Sequence, residues 1–589
     1  MAAFSGKRRP DRRDAAGPDG RRAPRRGISS GPMRTCGVLL QVSSLPSPYG
    51  IGTAGAAAGN FVRPHADLRF AFARVKAGVP GSFSIPGWEI YLTRGGIPMR
   101  TCGVLLPVSS LPSPYGIGTA GAAAREFIRF LAESGQRIWQ ILPLGPTGYG
   151  DSPYQSVSAF AGNPYFIDLD TLCAEGLLRE EEFEHEEFGL SPGSVDYPAL
   201  FEHRFAVLKR AADRIPEEGP EFRAFLKKQE DWLPEYALFM AIKRENGMRA
   251  FAEWPEPLRE REPVALAAAQ ERLAGEILFW EKLQYLFRRQ WEALRAFAEK
   301  NGVRIVGDLP IYVSPDSAEL WAHPELFETD GAGRMTRVAG VPPDAFSPTG
   351  QLWGNPLYDW AYHKKTGFVW WKRRLQAAEE LCGGIRIDHF RGFAGYYAVP
   401  AGERTAERGV WETGPGPDFI RAVKKALPPD FFVIAEDLGF LTGDVRDLLK
   451  ESGFPGMKVL QFAFDSREPS DYLPHHYPRN CVAYPGTHDN DTLLGWERTL
   501  SPEALAYARE YLGVPEGESL RKAALRACLG SAADTAVIPM QDWLGLGGEA
   551  RINTPSTLGG NWRWRLLPGM LTPEVSAEML RMAKLCGRA

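Results

Sequence analysis

From Met99 onward, short apolar runs recur at wide spacing, and each ends in polar or glycine-rich residues. The runs are Cys102–Pro107, Ile138–Leu142, Val303–Val313, Ile385–Asp388, Phe431–Glu436, Met457–Phe464, Cys481–Tyr484 and Thr535–Met540. Runs this short, bounded by turn-forming residues, read as strands. Several follow segments with helical spacing. Phe127, Ile128, Phe130 and Leu131 share one helical face, and Gly135 stands where a C-terminal cap belongs. Strands that alternate with helices imply a parallel sheet, and eight of them imply a closed (β/α)8 TIM barrel of the α/β class. Barrels of this kind keep their chemistry at the C-terminal ends of the strands, where the polar residues fall here.

The longest interruption, about residues 174–301, separates the second and third strands. Its runs ALFEHRFAVLKRAADRI, PEYALFMAIKREN and ILFWEKLQYLFRRQWEALRAFAEKNG are helical in pattern. No Ser/Gly-rich linker isolates it, so it reads as a large helical insertion packed beside the barrel. The acidic tract EEEFEHEEF within it reads as a solvated helix face.

The first 98 residues break the pattern. Residues 1–32 are rich in Arg, Pro, Gly and Ala, contain no apolar signal-peptide core, and are expected to be disordered. Met33 to Ala58 then repeats Met99 to Ala124, with Gln41 in place of Pro107. The second copy continues into a convincing helix and strand; the first does not. Two copies of one strand-and-loop unit do not make a solenoid. The expectation is an atypical extension over residues 1–98 and a catalytic barrel over 99–589. A genuine extra module is the alternative.

Composition removes several classes. Hydrophobic residues are 44% and charged residues 24%, with a net charge of −3, so no nucleic-acid footprint or membrane-surface character is visible. No apolar run approaches the ~20 residues that span a bilayer. The seven cysteines are scattered without a CxxC pair, which points to reduced thiols in a cytoplasm and away from a disulfide framework.

Three strand ends carry the candidate chemistry. In GGIRIDHFRG, Arg386 and Asp388 point to the same side of a strand. A guanidinium beside it keeps a carboxylate ionised, which suits a nucleophile; a purely structural ion pair is the bland alternative. In FFVIAEDLG, Glu436 ends an apolar run, where burial raises its pKa as a general acid requires. Its bland alternative is a helix-capping carboxylate. Asp437 points the other way and is the weaker candidate. In CVAYPGTHDND, Asp489 is placed to bind hydroxyls or steady a developing positive charge, with His488 as a hydrogen-bond donor. The Asp388–His389 and His488–Asp489 pairs raise a metal site as an alternative. No HxH or HExxH spacing accompanies them, and Arg386 sits badly beside a divalent cation. Two carboxyl groups, one tuned as acid and one as base, suggest glycoside chemistry.

The chain from Met99 onward resembles the 4-alpha-glucanotransferases (amylomaltases, disproportionating enzymes) of the α-amylase superfamily, glycoside hydrolase family 77. The motifs that carry the resemblance are SSLPSPYGIG at 109–118, LPLGPTGYGDSPYQS at 142–156, GDLPIYV at 307–313 and AGVPPDAFSPTGQLWGNPLYDW at 339–360. They continue as GIRIDHFRG at 384–392, IAEDLG at 434–439, GTHDNDT at 486–492 and NTPSTLGGNWRWR at 553–565. The resemblance implies Asp388 as nucleophile, Glu436 as acid/base and Asp489 as transition-state stabiliser. It places Arg386, His389 and His488 around the donor sugar, with Asp308 beside them. It makes Tyr154 a stacking residue for a bound glucose, near Asp151 and Ser152. It makes the loop from Asp344 to Trp353 a cover over the cleft, with Phe346 and Trp353 as sugar platforms. Tyr149 falls in a second glucan-binding groove, and Asn553 and Trp564 in a terminal glucan-contacting loop. Core packing is the alternative for each aromatic. The implied activity is cofactor-independent and cytoplasmic, acting on α-1,4-glucans such as maltodextrin, starch or glycogen fragments and on neither nucleic acid nor membrane. An α-glucan hydrolase, a non-catalytic glucan-binding protein and a metal-dependent hydrolase are the rival readings.

Overall fold

A computed structural model describes residues 84–85, 88–89 and 100–589, except for Tyr149, Leu190, 344–346, Phe440 and 465–469. Met1–Gly81 and Ser82–Ala589 separate as two units, and the first contains none of the described residues. Ser84–Ile85 pairs antiparallel with Trp88–Glu89. Otherwise the expected 1–98 extension lies outside the described residues.

Eight strands close into a parallel barrel in chain order. They are β1 (Thr101–Leu105), β2 (Ile138–Gln140), β3 (Arg304–Leu309), β4 (Gly384–Ile387), β5 (Phe432–Ala435), β6 (Gly456–Val459), β7 (Cys481–Tyr484) and β8 (Thr535–Pro539). Each lies within or against one apolar run read from the sequence. Two runs overshoot. The third stops at Leu309 because Pro310 has no N–H for the ladder, and the sixth turns into a 3₁₀ helix at Leu460–Phe462. At β4 the strands approach too closely for a side chain: a Cβ on Gly384 would come 2.7 Å from the Phe432 carbonyl oxygen.

Helix α1 (Ala122–Glu133) buries Phe127, Ile128 and Leu131, and Gly135 ends it at φ 74°. Phe127 meets the fully buried Trp139 of β2 edge-on at 5.2 Å. Burying side chains of this size is worth about 2 kcal/mol each, which ties the helix to the barrel wall. The 27-residue helix α2 (Ala274–Lys300) packs on β3 and α1 while also holding Tyr197–Asp213 and Leu233–Glu245. The end of the segment assigned to the insertion is therefore also the helix that leads into β3.

Two sequence expectations need correction. The acidic tract is not a helix face. Glu180–Glu182 form one 3₁₀ turn, and Phe183 and Phe188 are buried against Tyr115. Two aromatic anchors in nine residues outweigh the solubility of the glutamates. Trp353 stands in a strand, Gln351–Pro356, and not in an irregular loop. That strand belongs to an antiparallel sheet with Arg337–Val341, Gly395–Pro400 and Val410–Thr413, outside the barrel.

The register sets the level of the site. Asp308 pairs with Arg386 and Arg386 with Ile434, and Ile387 pairs with Ala435. Asp388 and Glu436 each follow that last pair by one residue, so the ladder delivers both carboxyls to one rim of the barrel.

Candidate active site

One guanidinium organises the strand ends. Nη1 of Arg386 contacts both oxygens of Asp308, at 2.7 and 2.6 Å. Its Nη2 donates to Oδ1 of Asp388 at 2.9 Å and to Oε2 of Glu436 at 3.3 Å. Because a single nitrogen touches both, these two oxygens lie closer together than the ~6.5 Å at which inverting carboxyl pairs begin. The three acidic partners hold Arg386 firmly charged despite its burial.

Burial pushes Asp388 up to about 7, with Arg386 pulling down and Glu436 and Asp489 pushing further up. The pull of Arg386 toward the ionised form is as the sequence led us to expect, but desolvation of Asp388 is the larger effect. Burial raises Glu436 too, opposed by Arg386 and by the His389 N–H, which donates to Oε2 at 2.6 Å. Adjacent carboxyls resist double ionisation, so the pair suits one charge and one proton. Arg386 lies nearer Asp388. Oε1 of Glu436 has no hydrogen-bond partner among the described residues and is free to carry the proton. Asp437, by contrast, is buried and accepts from the Met457 N–H at 2.6 Å, which joins β5 to β6.

Further residues of the site come from the loop after β2, the end of β7 and the loop that carries Asn553. Tyr154 donates to Oδ2 of Asp308 at 2.8 Å, and its ring stacks on His488 with centroids 5.2 Å apart. Asp489 lies 3.4 Å from Nε2 of His488, and Oδ1 of Asp489 accepts from Nδ2 of Asn553 at 2.6 Å. Burial pushes His389 down to about 3 and lowers His488, so both rings are neutral near pH 7. Among the described residues, no three His, Cys, Asp or Glu side chains group to hold a metal ion.

The family model for glycoside hydrolase family 77, 4-alpha-glucanotransferase, matches residues 106–571. The chain belongs to the 4-alpha-glucanotransferase family. A 4-alpha-glucanotransferase of Thermus thermophilus is 50% identical over 83% of this chain and 99% of its own length. One of Clostridium butyricum is 44% identical over 82% and 99%. Among solved structures, the amylomaltase from Streptococcus agalactiae in complex with acarbose superimposes with a TM-score of 0.81 at 41% identity. That match covers 83% of this chain and all of the other.

In this 4-alpha-glucanotransferase family member, the described residues among the other candidates take different places. Trp353 meets His389 edge-on at 4.8 Å. Asp151, at φ 61°, and Ser152 form the turn before Tyr154, and Oγ of Ser152 accepts the Tyr154 N–H. The charge of Arg563 acts on Asp151 against a pKa raised by burial. Trp564 is tied by its backbone to other parts of the chain: its carbonyl accepts from the Ser110 hydroxyl, and it forms a β-bridge with Ser194. Tyr149, Asp344 and Phe346 lie outside the described residues.

Sequence reasoning missed two residues. Trp562 packs against Tyr154 at 5.8 Å and His488 at 6.0 Å. Arg551 donates to the Asp489 carbonyl at 2.7 Å and to the Asn553 carbonyl at 2.7 Å. The WRW tripeptide signalled an aromatic here. Trp562 stands at a left-handed backbone position, φ 65°, which no alternation rule encodes.

Proposed function

We propose that this chain transfers α-1,4-glucan segments from a donor maltodextrin to the 4-hydroxyl of an acceptor glucan or glucose, with retention of configuration. Asp388 attacks the anomeric carbon; the glycosidic C–O bond breaks as Glu436 gives its proton to the departing oxygen. Asp489 steadies the positive charge that develops between them, and Arg386 holds the carboxyls in place. Glu436 then takes the proton from the acceptor 4-hydroxyl, whose oxygen displaces Asp388 and restores it as a carboxylate. Tyr154 and Trp353 offer faces to sugar rings, and His389 and His488 offer neutral ring nitrogens to hydroxyls. The chemistry requires no cofactor. The observation that carries this reading is the shared Nη2 contact, which supports the short separation that a retaining pair needs, about 5–5.5 Å.

Transfer outruns hydrolysis when an acceptor sugar is bound in line and water is excluded. Maltotriose tests this. Chromatography should show glucose together with longer maltodextrins at a constant number of reducing ends. A rise in reducing ends would assign a hydrolase, and an unchanged substrate would assign a binding protein.

A further inference from the structure

Two residues on one turn, His389 and Arg391, are each faced by a tryptophan. Trp353 meets His389, and the guanidinium of Arg391 lies over the ring of Trp411, 4.2 Å from its centroid. The two tryptophans stand on the outermost strands of the same four-stranded sheet, Gln351–Pro356 and Val410–Thr413. Trp411 is 46% exposed, and Tyr397 backs it edge-on at 5.4 Å. A third element joins them. Asp444, in the first turn of the helix Gly443–Ser452 that follows β5, interacts electrostatically with Arg391.

We propose that Trp411, with Arg391 and Asp444, forms an outer glucan-binding platform that takes sugars of a long α-1,4-glucan beyond those held at Asp388 and Glu436. This rests on the glucan-transfer reading above. An indole backed by a guanidinium and a phenol is a fixed apolar plate, matched to the C–H face of a pyranose. Arg391 and Asp444 bring charges of both signs to the edge of the plate, a polar rim around the apolar ring. The location selects the occupant. Arg391 follows β4 and Asp444 follows β5, the strands that deliver Asp388 and Glu436, so a glucan leaving the cleft on this side meets the plate. No step of the proposed mechanism uses Trp411.

The test is the ratio of kcat/KM on amylose to kcat/KM on maltotriose. Trp411→Ala should lower that ratio by about five-fold or more, the scale of one lost aromatic contact. Trp411→Tyr should restore most of it, at an unchanged melting temperature. An unchanged ratio in Trp411→Ala, or equal loss on both substrates, overturns the platform. If the wild type transfers nothing, the functional reading fails instead. The platform is then tested by maltoheptaose binding to full-length Asp388→Asn protein with and without Trp411→Ala: weaker binding supports it and equal binding overturns it.

Discussion

Arg386 reaches Glu436 at 3.3 Å through the same nitrogen that holds Asp388 at 2.9 Å. A lysine cannot make that contact, because its single ammonium lacks the planar fork that also binds Asp308. Arg386→Met should leave the buried Asp308 uncompensated and cost roughly 3–5 kcal/mol of stability. Arg386→Lys should retain more of the stability than of the activity. Denaturant unfolding and maltotriose turnover separate the two losses, and full activity in either variant would remove Arg386 from the site.

Asn553 holds Asp489 by one short hydrogen bond, and its own N–H donates to the His488 carbonyl at 3.2 Å. If Asn553 acts by positioning Asp489, Asn553→Ala should lower kcat on maltotriose by about ten-fold or more, the value of a charge-assisted hydrogen bond. The same change made in an Asp489→Asn background should cost little further. Equal losses in both backgrounds would assign Asn553 an independent contact with sugar.

Asp542 makes a prediction about pH. It is 1% exposed, and its Oδ1 accepts the Leu493 N–H at 2.7 Å at the start of the helix after the Asp489 loop. Its Oδ2 has no partner among the described residues. Burial pushes this carboxyl up to about 7, against the pull of the Leu493 N–H and Arg521. An acid raised on folding stabilises the native state below its unfolded pKa, roughly 4, and that contribution is lost as pH rises through about 7. Asp542→Asn keeps the acceptor and removes the titration. The stability of the variant relative to wild type should therefore improve from pH 4.5 to pH 8, on the order of 1 kcal/mol per pH unit inside that window. A pH-independent difference would contradict the assignment.

Much of the fold was legible because parallel strands, buried on both faces, leave uninterrupted apolar runs. β5, β7 and β8 show this most plainly, whereas Arg386 interrupts β4 and Lys458 interrupts β6. Asp388, Glu436 and Asp489 were legible as charges standing where such runs stop. The tuning of Asp388 was not. The neighbouring Arg386 is visible in the sequence, but the desolvation that overrides it depends on strands far away in the chain. Arg551 was equally hidden, since its contact with the Asp489 carbonyl joins backbone to side chain across 62 positions. The Phe183 and Phe188 anchors show the converse error: a run of glutamates drew attention from the two residues that decide the local structure.

In the proposed mechanism Asp388 becomes covalently bonded to the donor sugar. Glu436→Gln should accumulate that species when supplied with a maltosyl fluoride, whose leaving group needs no protonation. Peptide mapping of the quenched protein should then find the maltosyl mass on Asp388. A sugar on any other residue, or undiminished maltotriose transfer by Asp388→Asn, would contradict the account.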